Sequence, residues 1–357
     1  MPLPIFAALQ VTLCICCRLD AFGCVIMMLM SRISTTRNFK QLCNTIKCMS
    51  AVRYTHSHPV KMDLSGIYPP ITTPFDESEN IDWISLKSNM EKWNTIPFRG
   101  YVVQGSNGEY VYMTVKERLE LVAGVKGMMA EGKLLIAGSG CESTSATVQM
   151  TKDMADAGAD AALVITPSFY KSGMTDEAMF AHFTRVADTS AIPIILYSVP
   201  SNTGIDLSID VIVRLSSHPN IIGLKDSGGD ISKLGAVVHK TQNNTFQVLA
   251  GSASFLYPAY HIGCVGGVCA LANVLGQECC DLELFFKLKR YDEAEKLQKK
   301  LILPNLDVTR RFGVPGLKQA MDWLGYIGGA SRLPLLPLTQ NQQDVLRKDF
   351  KKEGFLE

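Results

Sequence analysis

The chain has 357 residues, of which 47% are hydrophobic and 19% are charged. This is the composition of a globular protein, and it excludes a disordered chain, a collagen-like chain and a multi-span membrane protein. The formal net charge of +1 gives no reason to expect a nucleic-acid partner. The length accommodates two average domains or one large α/β barrel.

The first 62 residues differ from the rest of the chain in charge. They carry seven Lys and Arg residues and one acid, whereas residues 63–357 carry 28 basic and 33 acidic residues. Residues 31–61 contain no acid, and Arg, Lys, Ser and Thr are scattered through them. Such a composition is typical of a transit peptide. We predict that residues 1–60 are a removable mitochondrial transit peptide and that the mature protein works in the matrix.

The apolar start of the chain leaves a second interpretation open. The run from Leu3 to Cys17 is also typical of a secretory signal or anchor, although Arg18 and Asp20 interrupt the apolar stretch of residues 1–30. The uninterrupted pieces are too short for a membrane span, so we expect no membrane partner. Translation from Met28 or Met30 would leave a cleaner transit peptide.

Beyond residue 60, eight short apolar segments alternate with segments of helical periodicity. The segments are rich in Val, Ile and Leu, as strands buried on both faces should be. Eight strand–helix repeats predict a (β/α)8 TIM barrel over residues 61–280, with an open doubly wound sheet as the alternative. The predicted strands are Gly66–Ile71, Gly100–Gln104, Leu134–Ala137, Ala161–Thr166, Pro193–Tyr197, Ile221–Lys225, Phe246–Ala250 and Gly267–Ala270.

The predicted helices have recognisable ends. Ser143 is suited to cap the start of one helix, and Gly158 is suited to end it. The helices predicted between strands include Val115–Met129, Ser143–Ala157, Asp176–Thr189 and Leu207–Ser216. From residue 281 onward we predict a C-terminal helical extension packed on the barrel, with helices at Tyr291–Leu301, Gly316–Leu324 and Gln340–Phe350.

Lys225 ends the sixth predicted strand, and active sites of such barrels lie at the C-terminal ends of the strands. A lysine amine freed from its proton by desolvation attacks a ketone and forms a Schiff base. The protonated imine then withdraws electrons, so that an adjacent carbon–carbon bond can break or form. A lysine at a strand end can also simply extend its ammonium group into solvent.

Tyr197 ends the fifth predicted strand, and the turn Gly105-Ser106-Asn107-Gly108-Glu109 follows the second. If Tyr197 and Lys225 end adjacent strands, their side chains can converge over the barrel mouth; otherwise the tyrosine is a packing residue. The turn offers backbone N–H groups and the Ser106 and Asn107 side chains to a carboxylate. An ordinary Asn-Gly turn has the same sequence.

The cysteines and histidines give no sign of a metal site. Six of the eleven cysteines lie in the first 48 residues, and no Cys/His cluster of zinc spacing occurs. The strand ends carry neither a His pair nor clustered carboxylates. We therefore expect no metal and no cofactor.

Four motifs together resemble one family across residues 63–350. The motifs are Gly105-Ser106-Asn107-Gly108-Glu109, Thr166-Pro167-x-x-Tyr170, Tyr197-Ser198-Val199-Pro200 and Gly223-Leu224-Lys225-Asp226. They occur in the order and at the spacing of the pyruvate-handling class I lyases that include dihydrodipicolinate synthase and N-acetylneuraminate lyase. The resemblance implies a TIM barrel, a 2-oxo acid substrate and a homo-oligomer, typically a tetramer.

The resemblance also implies a role for individual residues. Lys225 matches the Schiff-base lysine and Tyr197 the proton-moving tyrosine. Ser106 matches the hydroxyl that links Tyr197 to a second tyrosine, and with Asn107 it matches the site for the pyruvoyl carboxylate. Tyr170 matches the second tyrosine, which reaches into a neighbouring subunit. The residue before it is Phe169, so a relay through that position would lack a hydroxyl. Ser227 and Gly251 match further substrate contacts.

Asn202 departs from the pattern of one branch of this family. Dihydrodipicolinate synthases have an arginine five residues after the catalytic tyrosine, where it binds the carboxylate of the second substrate, and this chain has Asn202. The substitution argues against lysine biosynthesis. Segments such as VVQGSNGE and ILYSVPSNTG are most similar to those of family members that cleave 4-hydroxy-2-oxoglutarate to pyruvate and glyoxylate. Two alternatives stay open, namely another pyruvate-dependent reaction of the family and a non-catalytic barrel that binds an oxo acid.

Overall fold

The computed structural model describes residues 62–357. The predicted transit peptide and its alternative starts lie outside these residues. Eight parallel strands form the centre of the fold. They are β1 Gly66–Tyr68, β2 Gly100–Val103, β3 Leu134–Gly138, β4 Ala161–Ile165, β5 Ile194–Ser198, β6 Ile221–Asp226, β7 Gln247–Ala250 and β8 Gly266–Val268.

The sheet closes on itself. Each strand pairs with its neighbour in the chain from β2 to β8, and β8 pairs back onto β1. The segment after β1 meets β2 at an isolated parallel bridge from Pro70 to Val102, where the Ile71 amide donates to the Val102 carbonyl and the Val102 amide to the Pro69 carbonyl, each at 3.0 Å. The predicted (β/α)8 barrel is therefore confirmed, and the open doubly wound sheet is wrong.

The eight predicted strands are all present, with ends that differ by a few residues. The first strand ends at Tyr68 rather than Ile71, because Pro69 and Pro70 have no N–H group to continue the ladder. The strands β5 and β6 extend one residue further than predicted, to Ser198 and Asp226.

Helices connect the strands and cover the outside of the barrel. Ser143 caps one of them by accepting from the Ala146 amide, and Gly158 follows its end with a positive φ of 100°. The predicted helix Leu207–Ser216 begins two residues later because Ser208 is its cap. The helices are α1 Trp83–Asn94, α2 Val115–Met128, α3 Thr144–Asp156, α4 Asp176–Thr189, α5 Pro200–Thr203, α6 Ile209–Leu215, α7 Ile231–Thr241, α8 Leu256–His261, α9 Gly276–Lys287, α10 Tyr291–Leu306, α11 Gly313–Trp323 and α12 Gln340–Lys352.

The strands bury both faces, as their composition predicts. One set of side chains fills the barrel interior, including Val102, Ile136 and Ile195. The alternate residues, such as Tyr101 and Leu135, pack against the surrounding helices. Alternation along each strand therefore separates the interior from the outer layer.

The additional C-terminal helices predicted from the sequence are present and lie near the barrel mouth. Helix α10 contacts the turn Ala253–Phe255 that follows β7, and α11 contacts the turn Ala270–Asn273 that follows β8. The division that we placed at residue 280 falls within α9. Among residues 62–357, no helix is both long enough and apolar enough to cross a membrane.

The last helix should contribute strongly to stability. Phe350 in α12 is fully buried in the core between barrel and helices. We expect Phe350→Ala to lower the free energy of unfolding by about 3–5 kcal/mol, because it leaves a cavity in a packed core. Urea unfolding measures the change. Val345→Ala on the exposed side of the same helix is the matched control and should change stability by about 0.5 kcal/mol at most. Equal effects of the two substitutions would contradict the prediction.

Candidate active site

Lys225 lies inside the barrel mouth next to Tyr197. The two residues are direct partners on β6 and β5. Lys225 is only 3% exposed, and its Nζ lies 4.0 Å from the centroid of the Tyr197 ring. The lysine therefore does not extend into solvent, and the tyrosine ring faces the amine rather than only filling the core.

A β-bulge determines where Lys225 points. Ile194 pairs with Ile221 and Ile195 pairs with Gly223, so that Ile222 is an extra residue in β6. Ile222 faces the interior, and strict alternation from it would turn Lys225 towards the helices. The extra residue shifts the phase by one, as bulges do. Leu224 consequently packs against the helices, and Lys225 faces the cavity.

Only glycine fits at the bulge. A Cβ on Gly223 would lie 2.5 Å from the carbonyl oxygen of Gln247 on β7 and 3.1 Å from Leu64 Cδ1. Because the close contact is with the backbone of β7, a side chain at this position would force the neighbouring strand to move. The segment Ile222-Gly223-Leu224-Lys225 thus combines a bulge, an outward apolar residue and an inward amine.

The Tyr197 hydroxyl is surrounded by polar groups. It lies 3.4 Å from the Ser106 hydroxyl, and the Asn202 amide donates to the same Ser106 oxygen at 3.3 Å. Burial alone would raise the pKa of the phenol. The Lys225 charge and hydrogen bonds from Ser106, Lys225 and Ser227 outweigh burial, so the pKa of Tyr197 lies below its usual value of 10. A lowered pKa suits a phenol that takes up a proton during a reaction.

Residues of the C-terminal part of the chain bind Glu109 and thereby fix the turn from Gly105 to Glu109. Glu109 has a positive φ of 57°, which is uncommon for a residue with a side chain. Its buried carboxylate lies 2.6 Å from the buried ammonium of Lys318 on α11, and it accepts from the Arg332 amide at 2.9 Å. Burial is the main cause of a lowered pKa for Lys318. The ion pair fixes the backbone that presents Ser106 and Asn107.

Six of the predicted site residues line one cavity of about 730 Å³. Within it, Asn107 has a buried Nδ2 without a hydrogen-bond partner among the described residues. A buried donor without a partner is costly, so the atom is suited to donate a hydrogen bond to a ligand oxygen. The six residues are Ser106, Asn107, Tyr197, Lys225, Ser227 and Gly251.

Asp226 directly follows Lys225, and a different lysine neutralises its carboxylate. Asp226 is fully buried and pairs with Lys233 at 2.9 Å, and the same ammonium also pairs with Asp206. The other oxygen of Asp226 accepts from the Gly228 amide at 2.8 Å. These bonds hold the Ser227-Gly228 loop against the end of β6.

Tyr170 lies outside this cavity. Its ring is 75% exposed and meets Phe169, which is 76% exposed, edge-to-face at 5.1 Å. Glu142 holds the loop that carries them, accepting from the Ser168 and Phe169 amides at 2.9 Å each. Within one chain, the structure does not bring Tyr170 to Lys225.

Several cavity residues were not predicted. Arg310 and Asn305 reach the cavity from the C-terminal helices, and Asn305 donates to Ser252 at 2.9 Å. Neither belongs to a motif, and both are distant in sequence from the strand ends, so no pattern could have indicated them. No group of three or more metal-binding side chains occurs among residues 62–357.

A family model, the dihydrodipicolinate synthetase family, matches residues 63–353. The chain belongs to this family. Its members are pyruvate-dependent lyases and synthases, so the resemblance seen in the four motifs is confirmed at the level of the family and of a lyase.

Relatives within the dihydrodipicolinate synthetase family carry two activities in their names. A 4-hydroxy-tetrahydrodipicolinate synthase of Methanothrix thermoacetophila is 32% identical over 288 residues, covering 80% of this chain and 96% of the relative. A probable mitochondrial 4-hydroxy-2-oxoglutarate aldolase of Emericella nidulans is also 32% identical, covering 82% and 96%. Overall identity therefore does not distinguish the two activities.

Solved structures of the family agree with the fold. The dihydrodipicolinate synthase of Bacillus anthracis has a TM-score of 0.77 at 29% identity, covering 81% of this chain and 98% of its own. The chloride-inhibited synthase of Acinetobacter baumannii, solved with pyruvate, has a TM-score of 0.78 at 28% identity, covering 82% and 100%.

The lowered pKa of Tyr197 can be tested directly. We expect Ser106→Ala to raise this pKa, because the substitution removes a hydrogen bond that stabilises the phenolate. Ultraviolet titration of phenolate formation measures it, with the titration of a Tyr197→Phe variant subtracted to isolate this tyrosine. Ser145→Ala, which removes an exposed hydroxyl, is the control and should leave the titration unchanged. An unchanged or lower pKa in Ser106→Ala would contradict the arrangement.

Proposed function

We propose that this protein is a class I aldolase that cleaves 4-hydroxy-2-oxoglutarate to pyruvate and glyoxylate. The observation that carries the proposal is the pairing of a buried amine with a phenol of lowered pKa inside a cavity that has Asn202 on its wall. Lys225 and Tyr197 provide the groups that a Schiff-base lyase needs. Asn202 occupies the position of the arginine that binds the second substrate in the synthases.

The reaction begins at Lys225. Its neutral amine attacks the C2 ketone of the substrate, and loss of water leaves a protonated imine. The Ser106 and Asn107 groups bind the adjacent carboxylate, and the unpartnered Asn107 Nδ2 supplies one donor. Binding in this way fixes the imine between Tyr197 and the turn, and positioning of this kind lowers the barrier substantially.

Cleavage follows from the imine. The Tyr197 phenolate takes the proton of the C4 hydroxyl, the C3–C4 bond breaks, and its electron pair moves into the imine to form an enamine. Glyoxylate leaves, C3 is protonated, and water hydrolyses the resulting imine to release pyruvate and the Lys225 amine. The imine acts as the electron sink, so the sequence of steps requires neither a metal nor an organic cofactor.

Two other functions are distinguishable from this one. Relatives named as 4-hydroxy-tetrahydrodipicolinate synthases favour a condensation that uses the same imine. A non-catalytic barrel that binds an oxo acid would use the cavity alone, since a fold does not by itself define an activity. The first makes a different product, and the second makes none.

A neighbouring subunit would complete the site. Ser106 and Asn202 also line a second cavity of about 380 Å³, which Glu142 and Ser168 border. The loop held by Glu142 presents Phe169 and Tyr170 to the outside. Around a two-fold axis, the aromatic pair of each copy can enter the second cavity of the other. We therefore propose a homo-oligomer, at least a dimer and by family resemblance a tetramer, in which Tyr170 of the partner approaches Ser106.

The proposed function includes a location, which depends on the predicted transit peptide. We propose that the protein acts in the mitochondrial matrix after removal of residues 1–60, because residues 31–61 contain no acid. Sequencing of the mature N-terminus should begin near residue 60. A mature protein that kept Met1 would contradict this.

The Schiff base should be trapped on Lys225. Borohydride added with pyruvate should reduce the imine to a stable amine, which adds mass to the peptide that contains this lysine. Lys225→Arg should abolish both the adduct and glyoxylate release. Lys240→Arg, a conservative change at an exposed lysine on α7, is the matched control and should retain both.

The trapping and turnover results separate the three functions. An adduct together with glyoxylate release supports the aldolase. An adduct with formation of 4-hydroxy-tetrahydrodipicolinate instead would replace it by the synthase. The absence of any adduct would favour the binding barrel.

The role of Tyr170 requires a hydroxyl at that position. We expect Tyr170→Phe to lower kcat about 100-fold or more, because a positioned proton-transfer group typically contributes at least that much. Phe169→Leu changes the adjacent ring without removing a hydroxyl and should have a much smaller effect. If Tyr170→Phe turned over at the parent rate, while Phe169→Tyr turned over faster, the relay would use position 169 instead.

A further inference from the structure

The cavity around Lys225 is lined by two cations and by no acid. Among the described residues that line it, only Lys225 and Arg310 carry a charge. Asp226, the nearest acid in sequence, is fully buried and paired with Lys233. Such a lining favours a ligand with two negative charges.

Arg310 lies on an unusual piece of backbone. Residues Asp307–Arg311 form one turn of π-helix between α10 and α11. Turns of this kind are rare within helices and occur frequently at functional sites. The turn brings the C-terminal helices over the cavity, and residues on both sides of it, Leu306 and Gly313, also line the cavity.

The two arginines of this turn are used differently. Arg311 is bonded to Asp307 at 2.7 Å and to Asp349 at 2.9 Å, which fixes the turn to α12. Arg310 has no ion-pair partner within residues 62–357, and its only side-chain hydrogen bond there is from Nη2 to the Gly228 carbonyl at 3.3 Å. A guanidinium has five N–H donors. Most of those of Arg310 are free for a ligand.

The contact with Gly228 also locates the guanidinium relative to the reacting amine. Gly228 follows Lys225 by three residues, in the loop that continues β6. A Cβ on Gly229 would lie 3.5 Å from Arg310 Nη2, so the guanidinium rests on this loop. A planar guanidinium binds a carboxylate through two parallel hydrogen bonds.

Because position 202 is an asparagine, the cavity lacks the arginine that follows β5 in the synthases. Asn202 presents a neutral amide, which already donates to Ser106. A second carboxylate of a bound substrate therefore has a single cationic partner in the lining once Lys225 has formed its imine. That partner comes from a different element of the fold.

We propose that Arg310 binds the distal carboxylate of the substrate and selects 2-oxo acids that carry a second carboxylate. The inference rests on the proposed aldolase function and names the residue that determines its substrate class. The carboxylate next to the ketone lies on the Ser106-Asn107 turn, and the carboxylate beyond C4 lies against Arg310. The C3–C4 bond is then held between two fixed ends.

The test compares two substrates that differ only at the distal end. 4-Hydroxy-2-oxoglutarate carries the carboxylate, and 4-hydroxy-2-oxopentanoate carries a methyl group in its place; both release pyruvate. We expect Arg310→Gln to lower kcat/KM for the dicarboxylate about 10- to 100-fold, which is the range for loss of hydrogen bonds to a charged group. The value for the methyl substrate should change less than about twofold. Arg310→Lys should restore part of the loss.

Two controls make the outcome specific. Arg185→Gln removes the same charge from the exposed face of α4 and should leave both substrates unaffected. Borohydride trapping with pyruvate, which has no distal carboxylate, should be equal in the parent and in Arg310→Gln. If the parent formed no adduct, the aldolase function itself would fail.

The proposal about Arg310 fails separately under two outcomes. In the first, Arg310→Gln traps pyruvate normally and its kcat/KM for the dicarboxylate is unchanged. The second is an equal loss for both substrates, which would show that the arginine supports the π-helical turn rather than binding the distal carboxylate.

Discussion

The burial of the Lys225 side chain at the end of a parallel strand is the constraint on which the rest of the site depends. Removing an amine from water is costly for its charged form, and no carboxylate in the described cavity lining offsets that cost. The Tyr197 ring lies 4.0 Å from the amine, and the adjacent Asp226 is paired with Lys233. The amine therefore lies in a cavity that no carboxylate lines. It is not held in an ion pair when it attacks a ketone. The bulge at Ile222 is what turns the lysine into this cavity.

The C-terminal helices belong to the site as much as the strands do. Lys318 on α11 forms a buried ion pair with Glu109, which holds the turn that presents Ser106 and Asn107. The π-helical turn before α11 brings Arg310 to the lining of the same cavity. Removing one partner of a buried pair leaves an uncompensated charge. A substitution far along the chain can therefore disturb a turn that follows the second strand.

Much of the fold could be predicted because it follows from local patterns. Short apolar segments of strand length, separated by capped helices, indicate parallel strands buried on both faces. The errors have local causes: the first strand stops before Pro69, and the helix after β5 starts behind its Ser208 cap. Lys225 and Tyr197 could be selected because both end strands that are consecutive in the chain. Tyr170 could be selected only by resemblance, and within one chain it lies on the outside, 75% exposed.

The sequence by itself determined which segments form the strands and which residue types are available near their ends, because strand length, apolar content and turn chemistry act over a few residues. Only the tertiary structure decided that Lys225 faces inward, since the direction depends on an extra residue in β6 relative to β5 and on the backbone of Gln247 beside Gly223. It also decided that Lys318 and Arg310 serve the site. These residues are distant in the chain from Glu109 and Lys225, and burial and charge pairing bring them together only when the barrel closes and the last helices pack over its mouth.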